Sequence, residues 1–123
     1  MNQKPLFDQV NEPFGSYKSL PKGLELVLKN REELIQLCKK HQLKSLFIFG
    51  SSLEENFSDT SDIDFLVEFK ELPFDLYTDH YFNLHEELES LLGRKIDLVT
   101  VNSLANKYFK EKVLSSRKLL YAA

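Results

Sequence analysis

Apolar and polar residues recur along this chain with two different periods, which divide it into helices and strands. Helical spacing of apolar residues is found at 24–41, 75–92 and 104–115. Short apolar or alternating runs that predict strands are found at 46–49, 62–69, 95–101 and 119–121. Gly93 follows the second helix, where a left-handed residue often ends a helix. In the last helix, we expect Leu104, Tyr108 and Phe109 to face inward.

The order of these elements predicts an α/β (α+β) domain in which helices flank a small mixed sheet. The helix at 75–92 lies between two strands and is long enough to cross over the sheet, so these strands are expected to be parallel. Residues 1–22 contain several prolines and glycines and are interpreted as an N-terminal arm, followed by the domain at 23–123. The arm could pack on the domain or on a partner. The run at 119–121 would form an edge strand.

Composition narrows the class of protein. The chain has 123 residues, of which 42% are hydrophobic and 28% charged, as expected for one globular domain. No apolar run is long enough to span a bilayer, and residues 1–10 lack the apolar segment of a secretory signal, so we expect neither a membrane span nor a signal. A net charge of −3 argues against a nucleic-acid partner. The single cysteine, Cys38, cannot form an internal disulfide, so a cytoplasmic location is expected. Self-association stays open.

Three polar features follow or interrupt the predicted strands. Gly50 and Ser51 come directly after the first strand, and glycine allows an anion to approach the backbone closely. Asp62 and Asp64 open the second strand, where residues i and i+2 share a face. Asp97 lies among apolar residues in the third strand. Carboxylates placed in this way can share a hard cation such as Mg²⁺.

Each feature alone has a simpler explanation. A Gly-Ser pair is common in turns, and two acids at the start of a strand can be solvated. Asp97 could pair with a neighbouring basic residue, of which Lys95 would share its face. Their combination is more informative, because ten residues separate the Gly-Ser pair from Asp62-Ile63-Asp64, which opens an apolar strand.

Other candidate groups have less specific patterns. His41, His80 and His85 lack the spacing of metal ligands and are expected on the surface. Aromatic residues expected to fill the core, or to mark a protein interface if exposed, are Tyr77, Tyr81, Phe82, Phe109 and Tyr121. A basic set near the C-terminus is interpreted as a solvated face, with phosphate or RNA binding as the alternative; it comprises Lys107, Lys110, Lys112, Arg117 and Lys118.

The combined pattern resembles the signature of the nucleotidyltransferase superfamily with the DNA polymerase β-type palm, and is most similar to MNT-type minimal nucleotidyltransferases. In that family the strand typically reads Ser-Asp-Ile-Asp-Leu-Leu-Val. Here the corresponding segment is Ser61-Asp62-Ile63-Asp64-Phe65-Leu66-Val67-Glu68-Phe69. The stretch 84–100 is also similar, and the resemblance extends over about residues 24–121.

The resemblance implies a palm-like fold and a specific chemistry. Asp62, Asp64 and Asp97 would be the catalytic and metal-binding residues, with Asp97 able to accept the proton of the attacking hydroxyl. Residues implied to contact the nucleotide are Gly50, Ser51 and Ser52. The cofactor would be Mg²⁺, for which Mn²⁺ could substitute, and AMP from ATP or another NTP would be transferred to a hydroxyl on a protein, with tyrosine favoured.

The same resemblance implies a partner and raises a question. MNT proteins commonly act as antitoxins of HEPN-domain proteins, so a HEPN-domain partner is expected. Family members often carry arginines and a glycine after the Gly-Ser pair, where this chain has Ser52, Glu54 and Glu55. The change removes positive charge from a triphosphate site. The alternatives are therefore a non-catalytic module that neutralises or scaffolds a partner and, less favoured, a metal-dependent phosphohydrolase.

Overall fold

The computed structural model describes residues 4–9 and 20–123. The helices in this part of the chain are α1 (Leu6–Gln9), α2 (Lys22–Lys29), α3 (Arg31–Lys40), α4 (Phe74–Leu92) and α5 (Lys107–Ser116). The strands are β1 (Leu43–Phe49), β2 (Ile63–Phe69), β3 (Ile96–Thr100) and β4 (Lys118–Ala122). Single 3₁₀ turns follow β1 at Gly50–Leu53 and β3 at Val101–Ser103. None of the described helices combines the length and the apolarity needed to cross a membrane.

The four strands form one mixed sheet, as the sequence predicts, and their order in it is β3-β2-β1-β4. β2 and β3 are parallel, and α4 is the crossover between them. β1 is antiparallel to both of its neighbours, and β4 lies at the edge. Gly93 ends α4 in the left-handed conformation, with φ of 67°. The expected fold class and crossover are therefore confirmed.

Both faces of the sheet are covered. On one face, Ile63 and Phe65 of β2 belong to the main core with residues of α2, α3 and α4. On the other face, Leu66 packs with Leu104 and with Val113 of α5 in a smaller cluster. Alternation along β2 thus sends successive residues to different layers. The open part of the second face is where polar strand residues can reach solvent.

The predicted helix at 24–41 is two helices, because Asn30 interrupts it. The backbone of Asn30 leaves the helical region, with φ of −108° and ψ of 21°. Its side-chain amide donates to the carbonyl of Leu26 at 2.9 Å, and its backbone N–H donates to that of Val27 at 3.1 Å. Asparagine commonly competes with helical hydrogen bonding in this way. Both helices still bury their apolar faces in the main core.

The arm and the aromatic residues expected in the core agree only in part with the predictions. Phe7, in α1, is 5% exposed and belongs to the main core, so the beginning of the arm packs on the domain. Residues 1–3 and 10–19 of the predicted arm lie outside the described residues. Tyr77, Tyr81 and Tyr121 are partly buried against the core, as expected. Phe82 is 63% exposed, so its prediction as a core residue is wrong.

The expectation that Tyr108 faces inward is also wrong, since its side chain is 83% exposed. The helix begins at Lys107 and not at Leu104, because the side chain of Asn106 caps it by accepting from the N–H of Phe109. The helix then buries Val113. Tyr108 precedes Val113 by five residues and therefore points to a different side of the helix.

His41 is buried, which contradicts its prediction as a surface histidine. It follows the last residue of α3 and is 2% exposed. Its Nδ1 lies 2.9 Å from Nδ1 of His80, and its Nε2 lies 3.1 Å from a carboxylate oxygen of Glu87. His85 is half-buried and lies within hydrogen-bond distance of the Ile96 carbonyl, at 2.9 Å. These contacts tie α4 to α3 and to β3.

Close contact between α2 and the 3₁₀ turn after β1 positions the end of that strand. Gly23 of α2 is buried directly against the backbone of Ser52. A Cβ atom on Gly23 would overlap the carbonyl oxygen of Ser52 and lie 2.9 Å from its Cα. Glycine is therefore needed at this point of the helix for space.

We expect Gly23→Ala to destabilise the protein by about 1–3 kcal/mol, because overlap with backbone forces the helix and the turn apart. The sign of the change in stability is informative, because replacing glycine by alanine in a helix with free space around it would stabilise the protein by about 0.5–1 kcal/mol. Urea unfolding followed by circular dichroism measures the change. Lys22→Ala, at an exposed position of the same helix, is the control. A Gly23→Ala protein as stable as Lys22→Ala would contradict the proposed contact.

Candidate active site

A cleft of about 290 Å³ lies between the open part of the sheet and α5. The end of β1, the following turn and the two parallel strands form one wall, and α5 forms the other. Its lining residues are Phe49, Gly50, Ser51, Glu54, Asp64, Asp97, Phe109, Lys112, Val113 and Ser116. Four of the predicted site residues, Gly50, Ser51, Asp64 and Asp97, are therefore brought together here.

Asp64 and Asp97 are side by side because β2 and β3 pair in register. The two residues are direct partners across the parallel pair. Ile63 and Phe65, on either side of Asp64 in the chain, point into the main core. Alternation then places Asp64 on the opposite face, and the parallel register places Asp97 on the same face. The predicted convergence of these two carboxylates is what the structure shows.

The surroundings of the Asp64 carboxyl group disfavour its charged form. Its pKa is raised from 3.8 to about 6, mainly by partial burial and then by the negative charge of Asp97. Asp62 adds a smaller effect in the same direction. The hydroxyl of Ser51 donates to Asp64 Oδ2 at 3.4 Å and acts in the opposite direction. A bound cation would relieve this repulsion.

Gly50 is required by its conformation and by the space around it. Its φ is 68°, in the left-handed region that favours glycine. A Cβ atom there would lie 2.5 Å from Oδ2 of Asp64. The chain can therefore turn sharply at the end of β1 and bring its backbone beside the carboxylate. This agrees with the sequence-based expectation that glycine permits a close approach.

Ser52 lies behind the cleft and does not line it. Its side chain is fully buried, and its hydroxyl accepts a hydrogen bond from the backbone N–H of Asp64 at 2.9 Å. The prediction that Ser52 contacts nucleotide does not fit this placement of its side chain. The residue instead fastens the turn to β2 and so holds Gly50 and Ser51 beside Asp64.

Asp62 is exposed immediately before β2 and is not among the cleft-lining residues. Within residues 4–9 and 20–123, no group of three or more His, Cys, Asp or Glu has the arrangement of a metal site. Mg²⁺ commonly uses only one or two protein carboxylates, together with water and substrate phosphates. The carboxylates of Asp64 and Asp97 fit such a partly open site. Asp62 lies close enough for its negative charge to raise the pKa of Asp64.

The wall formed by α5 was not identified from the sequence. Phe109, Val113 and Ser116 are spaced as neighbours on one face of a helix, and Lys112 belongs to the basic set near the C-terminus. This spacing predicts that the three residues share one face of a helix, but it does not predict which surface of the domain that face covers. Glu54 also reaches the cleft and places a further negative charge in it.

We expect the raised pKa of Asp64 to make stability fall as the pH rises. The folded protein holds this proton up to about pH 6, whereas the unfolded chain loses it near 3.8. The stabilising contribution is therefore complete below about pH 4 and is lost as the pH rises through 6. Allowing for solvent screening of a half-exposed group, its size is about 1 kcal/mol.

Asp64→Asn should remove this pH dependence and be more stable than the unmodified protein at pH 7 without metal, because the amide stays neutral as the protonated acid does. Urea unfolding between pH 4 and pH 7 measures the two slopes. Asp59→Asn, at an exposed position outside the cleft, should keep the original slope. Equal pH slopes for the unmodified protein and Asp64→Asn would contradict the electrostatic description of the site.

Comparisons with known proteins identify the family of this chain. MJ1215 of Methanocaldococcus jannaschii, a candidate protein adenylyltransferase, is 39% identical over 90 residues, which are 73% of this chain and 98% of that protein. The solved structure of a candidate minimal nucleotidyltransferase is 33% identical with a TM-score of 0.63, covering 76% of this chain and 92% of the other.

A second solved structure contains a tri-AMPylated HEPN toxin of Shewanella oneidensis in complex with MNT antitoxin. The matching chain is 26% identical with a TM-score of 0.53, and the match covers 77% of this chain and 71% of that one. The family model described as polymerase beta, nucleotidyltransferase matches residues 32–123. The chain therefore belongs to the polymerase β-type nucleotidyltransferase family and is a minimal nucleotidyltransferase similar to protein adenylyltransferases.

Proposed function

We propose that this protein transfers AMP from ATP to a hydroxyl group on a HEPN-domain partner, in a reaction that requires Mg²⁺. The observation that carries the proposal is the pairing of Asp64 with Asp97 in a cleft beside the Gly50 turn. Family membership supports the reaction class. A tri-AMPylated HEPN toxin in complex with MNT antitoxin, in a solved structure of which one chain is similar to this one, supports the acceptor. The protein would then be the antitoxin of its pair.

The residues of the cleft would have different roles in the proposed reaction. Asp64 and Asp97 would hold the metal, with Asp62 contributing charge, and bound Mg²⁺ would neutralise charge on the phosphates. Ser51 and the backbone of Gly50 would contact phosphate oxygens. Asp97 is exposed and would accept the proton as the acceptor oxygen attacks the α-phosphorus. The bond to the β-phosphate oxygen breaks, and pyrophosphate leaves.

Exposed apolar side chains support a protein partner. Tyr108 is 83% exposed and precedes Phe109, which lines the cleft. Leu114, on the same helix, is 40% exposed. Large apolar groups in solvent commonly mark protein interfaces. A partner that contacts Tyr108 and Phe109 would bring an acceptor hydroxyl close to the cleft.

A second candidate function is supported by Glu54. This residue adds a negative charge to a cleft that already holds two carboxylates, at a position where the resemblance to minimal nucleotidyltransferases implies arginine. Such a change weakens the attraction of a triphosphate. The chain would then neutralise its partner by binding alone.

We expect labelled AMP to appear on a HEPN-domain protein from the same organism when it is incubated with this protein, Mg²⁺ and ATP labelled at the α-phosphate. Asp64→Asn and Asp97→Asn should each reduce the transfer by more than about 100-fold, because metal-assisted charge stabilisation supplies several kcal/mol. ATP labelled at the γ-phosphate should give labelled pyrophosphate and an unlabelled partner. Gel autoradiography and chromatography measure both products.

Asp59→Asn, outside the cleft, is the matched control and should transfer AMP at the original rate. Transfer that survives in Asp64→Asn would show that the site is wrong. Release of inorganic phosphate in place of pyrophosphate would favour a phosphohydrolase. If the unmodified protein transfers nothing but still suppresses its partner, and Asp64→Asn does so equally well, the binding-module function is supported.

A further inference from the structure

The cleft has an unusual charge balance for a site that would bind a nucleoside triphosphate. Three of its lining residues are acidic, namely Glu54, Asp64 and Asp97. Among the described residues that line it, the one cation is Lys112 of α5. The turn that carries Gly50 and Ser51 contributes no positive side chain of its own. Any positive charge that the cleft offers to phosphate must therefore come from the opposite wall.

The fold holds Lys112 at this position. Val113, the next residue, is 1% exposed and packs with Leu66 and Phe49 against the sheet. Asn106 fixes the start of the helix by accepting from the N–H of Phe109 at 3.0 Å. The rotation of α5 about its axis is thus determined at both ends of this segment. The backbone of Lys112 cannot move from the rim of the cleft without exposing Val113.

The ammonium group of Lys112 is available for a ligand. In the described part of the chain, no carboxylate forms an ion pair with it, whereas Lys29, Lys40 and Lys44 all have such partners. Phe49 and Phe109 line the same cleft and contact each other edge to face, with ring centroids 6.3 Å apart. An apolar wall of this kind lowers the local dielectric constant and strengthens attraction between an ammonium group and phosphate.

We propose that Lys112 binds the triphosphate group of the nucleotide and supplies from α5 the positive charge that the turn after β1 lacks. This inference rests on the proposed function for the identity of the ligand. It assigns to Lys112 a role in binding phosphate and none in recognising the base. It also explains how a cleft with three acidic residues could still attract a polyanion.

The test is equilibrium binding by calorimetry with the purified full-length protein, using Mg–ATP, Mg–tripolyphosphate and adenosine as separate probes. Lys112→Gln should raise the Kd of both phosphate ligands by about tenfold and leave that of adenosine unchanged. Lys110→Gln removes an equal charge from the same helix outside the cleft and should change each Kd by less than about twofold. Lys112→Arg should retain phosphate binding.

Melting temperatures of all variants check that they are folded. Lys112 is exposed, so its replacement should not unfold the protein. The inference is overturned if Lys112→Gln binds Mg–tripolyphosphate as tightly as Lys110→Gln does. It is also overturned if the unmodified protein binds no Mg–tripolyphosphate. Failure of the proposed function appears separately, as absence of AMP transfer by a protein that binds Mg–ATP in a manner dependent on Lys112.

Discussion

The parallel pairing of β2 with β3 is the constraint on which the rest of this structure depends. Its register sets Asp64 beside Asp97, two like charges that repel each other at the edge of a partly buried cleft. The same register places Ile63 beside Ile96 and Phe65 beside Leu98 on the opposite, buried face. Burial of these side chains stabilises the pairing by several kcal/mol and so offsets the repulsion. The register that buries the core residues therefore also places two carboxylates together, and this pair favours a cation.

A series of short contacts then connects the main core to the cleft. Gly23 allows α2 to touch the backbone at Ser52, and the Ser52 hydroxyl accepts from the N–H of Asp64. Gly50 turns the chain within contact distance of the Asp64 side chain. The segment that would meet phosphate is held from behind by buried groups. Its position is therefore set by packing and does not need a ligand to form it.

The opposite wall has a different physical basis. α5 covers the sheet through Val113, yet most of its surface is exposed, including Tyr108. One helix thus presents a cation to the cleft and apolar groups to solvent. This arrangement would couple the proposed nucleotide site to a docking surface, because both lie on α5. It also compensates for Glu54 and for the lack of a positive side chain in the turn after β1, because α5 can supply positive charge from the opposite wall of the cleft.

Local patterns were sufficient for much of this fold and for part of the site. Period-two alternation identified β2 and placed Asp64 on the face opposite Ile63, and the length of α4 predicted the parallel crossover. The left-handed conformation of Gly93 was also expected. These features depend on backbone geometry and on neighbours within a few residues, so a single sequence carries them.

Contacts between distant elements decided the remainder. Ser52 and His41 are polar residues that the sequence places next to turns, and only packing against β2 and α4 buries them. Asn30 divides a helix whose apolar period continues through it, because a local hydrogen bond competes with the helical pattern. Lys112 belongs to a basic run that looks solvated, and it reaches the cleft only because Val113 fixes the rotation of α5. Which elements meet is set by tertiary packing, and periodicity alone does not contain that information.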